Sequence, residues 1–134
     1  MGANSIGKEF VFTCFGESHG RCVGAIVDGC PAGLPLTKED IQNELNKRLP
    51  NKREIMSARR ETDIVELLSG TYEGFTTGAP ICALVWNKEI LSSDYDEIQD
   101  KPRPGHADYP VRIKYMGFAD YRGGGRFSGR MTVA

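Results

Sequence analysis

Phe10, Phe12 and Cys14 alternate with Glu9, Val11 and Thr13, and this period of two predicts a strand over Lys8 to Phe15. Gly16-Glu17-Ser18-His19-Gly20 then forms a polar, glycine-bounded turn. Cys22 to Val27 predicts a second strand, closed by the turn pair Asp28-Gly29. Pro31, Gly33 and Pro35 hold the next stretch as a loop. At Thr37 the period lengthens. Ile41, Leu45 and Leu49 make one apolar stripe at helical spacing, so a helix is expected to start at Thr37 and to end at Pro50. Thr37 and Asp40 resemble a capping box, with Asp in the place usually taken by Glu.

Asn51 to Thr62 is polar and basic and reads as a mobile loop. Ile64 to Leu68 and Ala79 to Trp86 predict further strands, separated by Gly70, Gly74 and Gly78. Lys88 to Pro110 reads as irregular, with Pro102, Pro104 and Pro110 as breakers. Arg122 to Gly129 is glycine-rich and basic, and Met131 to Ala134 reads as the opening of a helix. Several strands with one clear helix predict an α+β domain with antiparallel pairing.

Composition narrows the classes. The chain has 134 residues, enough for one domain, and its 40% hydrophobic and 26% charged residues suit a soluble, folded protein. A net charge of −1 offers no overall field for nucleic acid, so an anion site must be built locally. No aromatic residues interleave the basic segment, which also argues against a nucleic-acid binder. Cys14, Cys22, Cys30 and Cys82 form no C-x-x-C pair and only two histidines accompany them, so no metal site is expected. The cysteines read as reduced, mostly buried thiols. The longest apolar run, Ile81 to Trp86, is too short to cross a bilayer. With no signal-peptide pattern in the first ten residues, a cytoplasmic location and no membrane partner are expected. Gly2 to Lys8 matches most of a P-loop, but Glu9 stands where Ser or Thr would hold magnesium, and no strand precedes it.

Four segments can carry chemistry. In Gly16 to Gly20 the glycines let the chain bend and leave room beside the His19 imidazole, whose ordinary pKa near 6.5 suits proton transfer. The plainer reading is an exposed turn histidine. In Arg103-Pro104-Gly105-His106-Ala107-Asp108 the breakers fix the path to His106, and Asp108 is placed to orient its ring. The plainer reading is a stiff loop. Lys47, Arg48, Lys52, Arg53, Arg59 and Arg60 put six positive charges within fourteen residues, with Glu54 alone opposing them. Guanidinium groups there suit phosphate or carboxylate, or the segment is a solvated loop. Arg122-Gly123-Gly124-Gly125-Arg126-Phe127-Ser128 offers three glycines whose free amides would make an anion nest, with two arginines adding charge. Together these indicate a phosphorylated ligand and acid–base work, without identifying a reaction.

The segments also resemble a known family. Gly16 to Gly20 continuing through Gly24-Ala25-Ile26-Val27-Asp28-Gly29-Cys30-Pro31, then Arg103 to Tyr109, then Asp120-Tyr121-Arg122-Gly123-Gly124-Gly125-Arg126, resemble the ordered signatures of chorismate synthases. The resemblance implies a flavin-dependent lyase that eliminates phosphate from 5-enolpyruvylshikimate 3-phosphate, with reduced FMN as cofactor and NADPH as a candidate reductant. It implies a sandwich of antiparallel sheets around helices, assembled as a homotetramer when full length. It further implies that residues 1–134 are the amino-terminal part of a single domain whose carboxy-terminal part is absent, leaving this stretch alone inactive. His19 resembles the histidine that protonates the departing phosphate, and His106 the one that manages flavin protonation. Flavin contacts fall on Arg48, Arg126, Phe127 and Ser128, and substrate contacts on Arg48, Arg53 and Arg60. The family pattern usually continues Arg-Ser-Ser-Ala-Arg-Glu-Thr, whereas Phe127 and Met131 here replace a hydroxyl and a carboxylate, and Glu54 replaces a basic residue. The alternative is a non-catalytic phosphate- or flavin-binding fragment.

Overall fold

The computed structural model describes residues 3–48, 63–88 and 100–134. Its strands are β1 (Ser5–Ile6), β2 (Val11–Gly16), β3 (Cys22–Asp28), β4 (Val65–Ser69), β5 (Thr71–Tyr72), β6 (Phe75–Thr76) and β7 (Ile81–Trp86). Helices α1 (Lys38–Asn46) and α2 (Asp108–Lys114) and two 3-10 turns, Arg122–Phe127 and Gly129–Val133, complete the described elements.

A glycine decides where the first long strand begins. Gly7 has φ +106, and a Cβ there would lie 1.9 Å from the Phe10 carbonyl oxygen. Only glycine permits this reversal, which folds β1 back onto β2 with Ser5 opposite Thr13. The strand therefore starts at Val11 rather than Lys8. The main sheet runs β1-β2-β3-β7-β4, antiparallel throughout. Register places Val23 opposite Val85, Ala25 opposite Ala83 and Val27 opposite Ile81, with Val65 also opposite Val85. Successive side chains alternate between faces, so these residues share one face. Val23, Ala25, Val65, Ile81 and Val85 from it are buried and form most of the core.

The box at the start of α1 is present. The Asp40 amide donates to Thr37 Oγ1 at 3.3 Å, and the Thr37 amide donates to Asp40 Oδ2 at 2.8 Å. The Thr37 hydroxyl and amide hold the Asp40 carboxyl below its ordinary range. The helix stops at Asn46 because the last turn tightens, with the Lys47 amide on Glu44 and the Arg48 amide on Leu45. Leu49 and Pro50 lie outside the described residues. Ile41 and Leu45 face an apolar groove of about 340 Å³ that also touches Val23, Val65 and Val133. Gln42 ties the helix to β4 by donating to the Asp63 carbonyl at 2.8 Å and accepting from the Val65 amide at 2.9 Å.

Three elements differ from the sequence reading. The β5–β6 hairpin turns at Glu73 and Gly74, with φ of 48° and 81°. Two-residue strands leave no period to detect. Asp108 to Lys114 is helical although it contains Pro110. Pro110 is the third helical residue, where an amide has no intrahelical acceptor, so proline removes nothing. The segment at Met131 belongs to a 3-10 turn that starts at Gly129, capped by Ser128 Oγ accepting from the Arg130 amide at 3.2 Å. The four cysteines are free but half-buried rather than buried, since one sheet with one helix packed against it leaves its strands partly open.

Candidate functional site

The His19 turn is built where β2 gives way to β3. Gly16 has φ +96, and a Cβ there would lie 2.2 Å from the Cys22 carbonyl oxygen, so the strands meet this closely only through glycine. The Gly20 amide closes the turn on the Glu17 carbonyl at 3.0 Å. Asn87 Nδ2 donates to the carbonyls of Glu17 and Gly20, at 3.1 and 2.8 Å. The Ser18 amide donates to the Gly125 carbonyl at 3.1 Å. Ser18 and His19 are each 3% exposed, so this is no solvated turn histidine.

The cover over His19 is the triple glycine. Gly123, Gly124 and Gly125 have φ of +57°, +82° and +53°. A Cβ on Gly123 would lie 2.4 Å from His19 Cδ2 and 2.6 Å from Nε2. The glycines thus let the main chain turn left-handed and lie directly on the imidazole. Of the three amides expected to make an anion nest, that of Gly124 is taken, donating to the Tyr121 carbonyl at 3.3 Å. Nor is Arg122 a spare cation. Its Nε and Nη2 each reach the Asp120 carboxylate at 2.8 Å. This pairing lowers the Asp120 pKa, chiefly through the Arg122 hydrogen bond, and raises that of Arg122. Arg126 donates to the Tyr115 hydroxyl at 2.5 Å and stacks over Phe127 at 4.7 Å.

Next to the glycine loop lies a cavity of about 320 Å³, lined among others by Arg103, His106, Arg112, Gly123, Phe127 and Ser128. His106 is exposed, with Nδ1 3.3 Å from the Pro104 carbonyl. Asp108 does not orient it. Arg103 grips Asp108 instead, with Nε on Oδ2 at 2.8 Å and Nη2 on Oδ1 at 3.0 Å. A two-pronged guanidinium outcompetes a single ring nitrogen for a carboxylate. The clamp holds the Asp108 carboxyl below its ordinary range, the Arg103 side-chain bond being the main cause. A carboxyl depressed on folding stabilises the fold above its unfolded value near 4, and that help is lost as pH falls through the depressed value. Acid titration of thermal stability should therefore show a loss below about pH 4 that is shallower in Asp108→Asn. An identical acid limb in the variant would contradict the clamp.

Arg48 Nη2 donates to Thr132 Oγ1 at 2.6 Å, and that hydroxyl donates to the Gly129 carbonyl at 2.7 Å. Gly129 lines the cavity, whereas Arg48 and Thr132 do not. The structure thus brings His106, Phe127 and Ser128 to the cavity, with His19 against Gly123, and links Arg48 to the cavity-lining Gly129 only through Thr132. Arg126 is not among the lining residues. Arg53 and Arg60 lie outside the described residues. Sequence reasoning missed Asn87, Asp63 and Arg130. Arg130 donates to Asn87 Oδ1 at 2.9 Å and to Asp63 Oδ1 at 2.6 Å. Arg103 stood in the motif but was given no role. Among the described residues no cluster of His, Cys, Asp and Glu forms a metal site, and no helix is long and apolar enough to cross a membrane.

An antiparallel α+β scaffold whose cavity is lined by His106, Arg103 and Arg112, beside a glycine loop that covers His19, sets the class of protein by fold and site. The family model for chorismate synthase matches residues 10–134, and the chain belongs to that family. It is 58% identical over 134 residues to the chorismate synthase of Korarchaeum cryptofilum, covering 100% of this chain and 37% of the relative. The chorismate synthase of Methanocaldococcus jannaschii is 58% identical over 130 residues, 97% of this chain and 34% of the relative. A crystal structure of chorismate synthase superposes with a TM-score of 0.52 at 32% identity, over 71% of this chain and 26% of the other. The α+β antiparallel class read from the sequence agrees with that structure. The chain spans 37% and 34% of the length of the two curated relatives named above.

Proposed function

We propose that the full-length protein carrying this chain is a chorismate synthase, a lyase of the shikimate pathway for aromatic amino acids. It performs the anti 1,4-elimination of phosphate from 5-enolpyruvylshikimate 3-phosphate. The observation that carries this reading is the junction at Gly123, which lies on His19 and lines the cavity that His106 also lines. On this reading residues 1–134 are the amino-terminal part of one domain, and the protein is a cytoplasmic homotetramer.

The donor set fits FMN. Phe127 offers an aromatic face, Ser128 a hydroxyl and Arg112 positive charge around one cavity, while the Arg103 guanidinium is held by Asp108. The chemistry supplied by reduced FMN, when bound, is transient electron donation without net redox change, with NADPH as the candidate reductant. The chain's own residues do the rest. His19 donates a proton to the departing phosphate, which otherwise leaves with excess negative charge. His106 holds or releases a proton at the cofactor edge. Arg48, with Arg53 and Arg60, binds the anionic groups of the substrate, while Arg48 and Arg126 also serve the cofactor. Burial under the glycine loop keeps water from His19.

The test is an anaerobic assay of the full-length protein with substrate and reduced FMN. Chorismate formation is expected. Binding of both ligands without chorismate would favour the alternative of a non-catalytic binder. Arg48→Ala should weaken substrate binding by about 1.5–3 kcal/mol, the range for a charged hydrogen bond. Arg48→Lys should recover part of this, lacking the two-pronged fork. Unchanged affinity in Arg48→Ala, read by titration calorimetry, would leave Arg48 as a structural partner of Thr132 alone.

A further inference from the structure

We propose that Asn87 is the positioning residue that sets His19 in place, an inference that rests on the acid–base reading of His19. Asn87 follows β7 directly, and its main-chain amide donates to the Arg21 carbonyl at 3.0 Å. Its side-chain amide nitrogen donates to the Glu17 and Gly20 carbonyls, at 3.1 and 2.8 Å. These two carbonyls bracket Ser18 and His19. The side-chain oxygen accepts from Arg130 Nε at 2.9 Å. A guanidinium only donates, so the oxygen must face Arg130 and the nitrogen must face the turn. The amide is fixed in one orientation.

Arg130 is itself held. Its side chain is 10% exposed, and Nη1 pairs with Asp63 Oδ1 at 2.6 Å. Asp63 is tied through its carbonyl to Gln42 on α1. A chain of polar contacts therefore runs from the helix–sheet frame through Arg130 to Asn87 and into the turn. The Gly125 carbonyl also holds this turn, through the Ser18 amide. With Asn87 removed, the imidazole stays pressed by Gly123 but its turn loses the two hydrogen bonds at Glu17 and Gly20. A displacement of about 1 Å of an acid–base group is enough to slow a reaction by roughly a hundredfold.

The experiment is a double-mutant cycle in the full-length protein, with substrate and reduced FMN. Asn87→Ala and Asn87→Asp should each lower kcat by roughly 10–100-fold with KM near wild type. The Asp variant still accepts from Arg130 but has no hydrogens for the two carbonyls. It turns an acceptor oxygen toward them, so both variants should melt lower than wild type, and rates are compared on the folded protein well below each variant's own melting temperature. In a His19→Ala background either change should alter kcat by less than about threefold, because Asn87 acts through His19. Single losses that multiply in the double variant would overturn the positioning role. A slow His19→Ala beside a wild-type rate in Asn87→Asp would overturn it while leaving the acid–base reading intact. A wild-type rate in His19→Ala removes that reading and this proposal with it.

Discussion

Full-length protein carrying His19→Ala should turn over roughly 10²–10⁴-fold more slowly than wild type, the usual loss when a positioned acid or base is removed. His106→Ala should fall in the same range. The two should differ in their side effects. His19 is 3% exposed and packs against Gly123, so its removal leaves a space under the loop and should also lower the melting temperature. His106 is exposed, and its recorded polar contact is a 3.3 Å approach to the Pro104 carbonyl, so its removal should leave stability unchanged. Steady-state kinetics beside thermal denaturation separates these outcomes. A wild-type rate in either variant would remove that histidine from the mechanism.

Gly123→Ala is expected to have an effect of similar size on activity. The new methyl would fall 2.4 Å from His19 Cδ2 and 2.6 Å from Nε2, at a backbone φ of +57°. Strain of this kind costs about 1–3 kcal/mol even without a clash. The loop or the imidazole must move as well, so turnover should fall by at least about tenfold. Gly33→Ala is the control. Its φ is +87, yet a Cβ there meets nothing within 4 Å. It should carry the backbone strain alone and leave turnover as it was. Equal rates in Gly123→Ala and Gly33→Ala would show that the contact with His19 has no role in the reaction.

Much of this architecture is legible in the sequence because it is local. The α1 cap lies in four consecutive residues, Thr37 to Asp40. Cys22 to Val27 of β3 and Ile81 to Trp86 of β7 are apolar runs paired residue for residue, with one face of each in the core. The two histidine segments announce themselves through glycine and proline. Other features escape for physical reasons. Pro110 reads as a breaker until its place in the first turn of α2 is known. Strands β1, β5 and β6 are two residues each, too short for any period. The triple glycine reads as an anion nest, and its close approach to His19 has no signal in the local sequence. Asp108 sits two residues from His106, and nearness along the chain suggested the wrong partner. The support of the His19 turn is invisible locally, since Arg130 reaches Asn87 across 43 residues and Asp63 across 67. Only folding brings such side chains together.

One measurement bears most directly on the central claim that this site belongs to an elimination without net redox change. Full-length protein is given excess 5-enolpyruvylshikimate 3-phosphate and a small amount of reduced FMN without oxygen, and chorismate, inorganic phosphate and the flavin's absorbance are followed together. Equal amounts of chorismate and phosphate, many per flavin, with the flavin still reduced at the end, is the predicted result. Phosphate without chorismate, or one chorismate for each flavin oxidised, would contradict it.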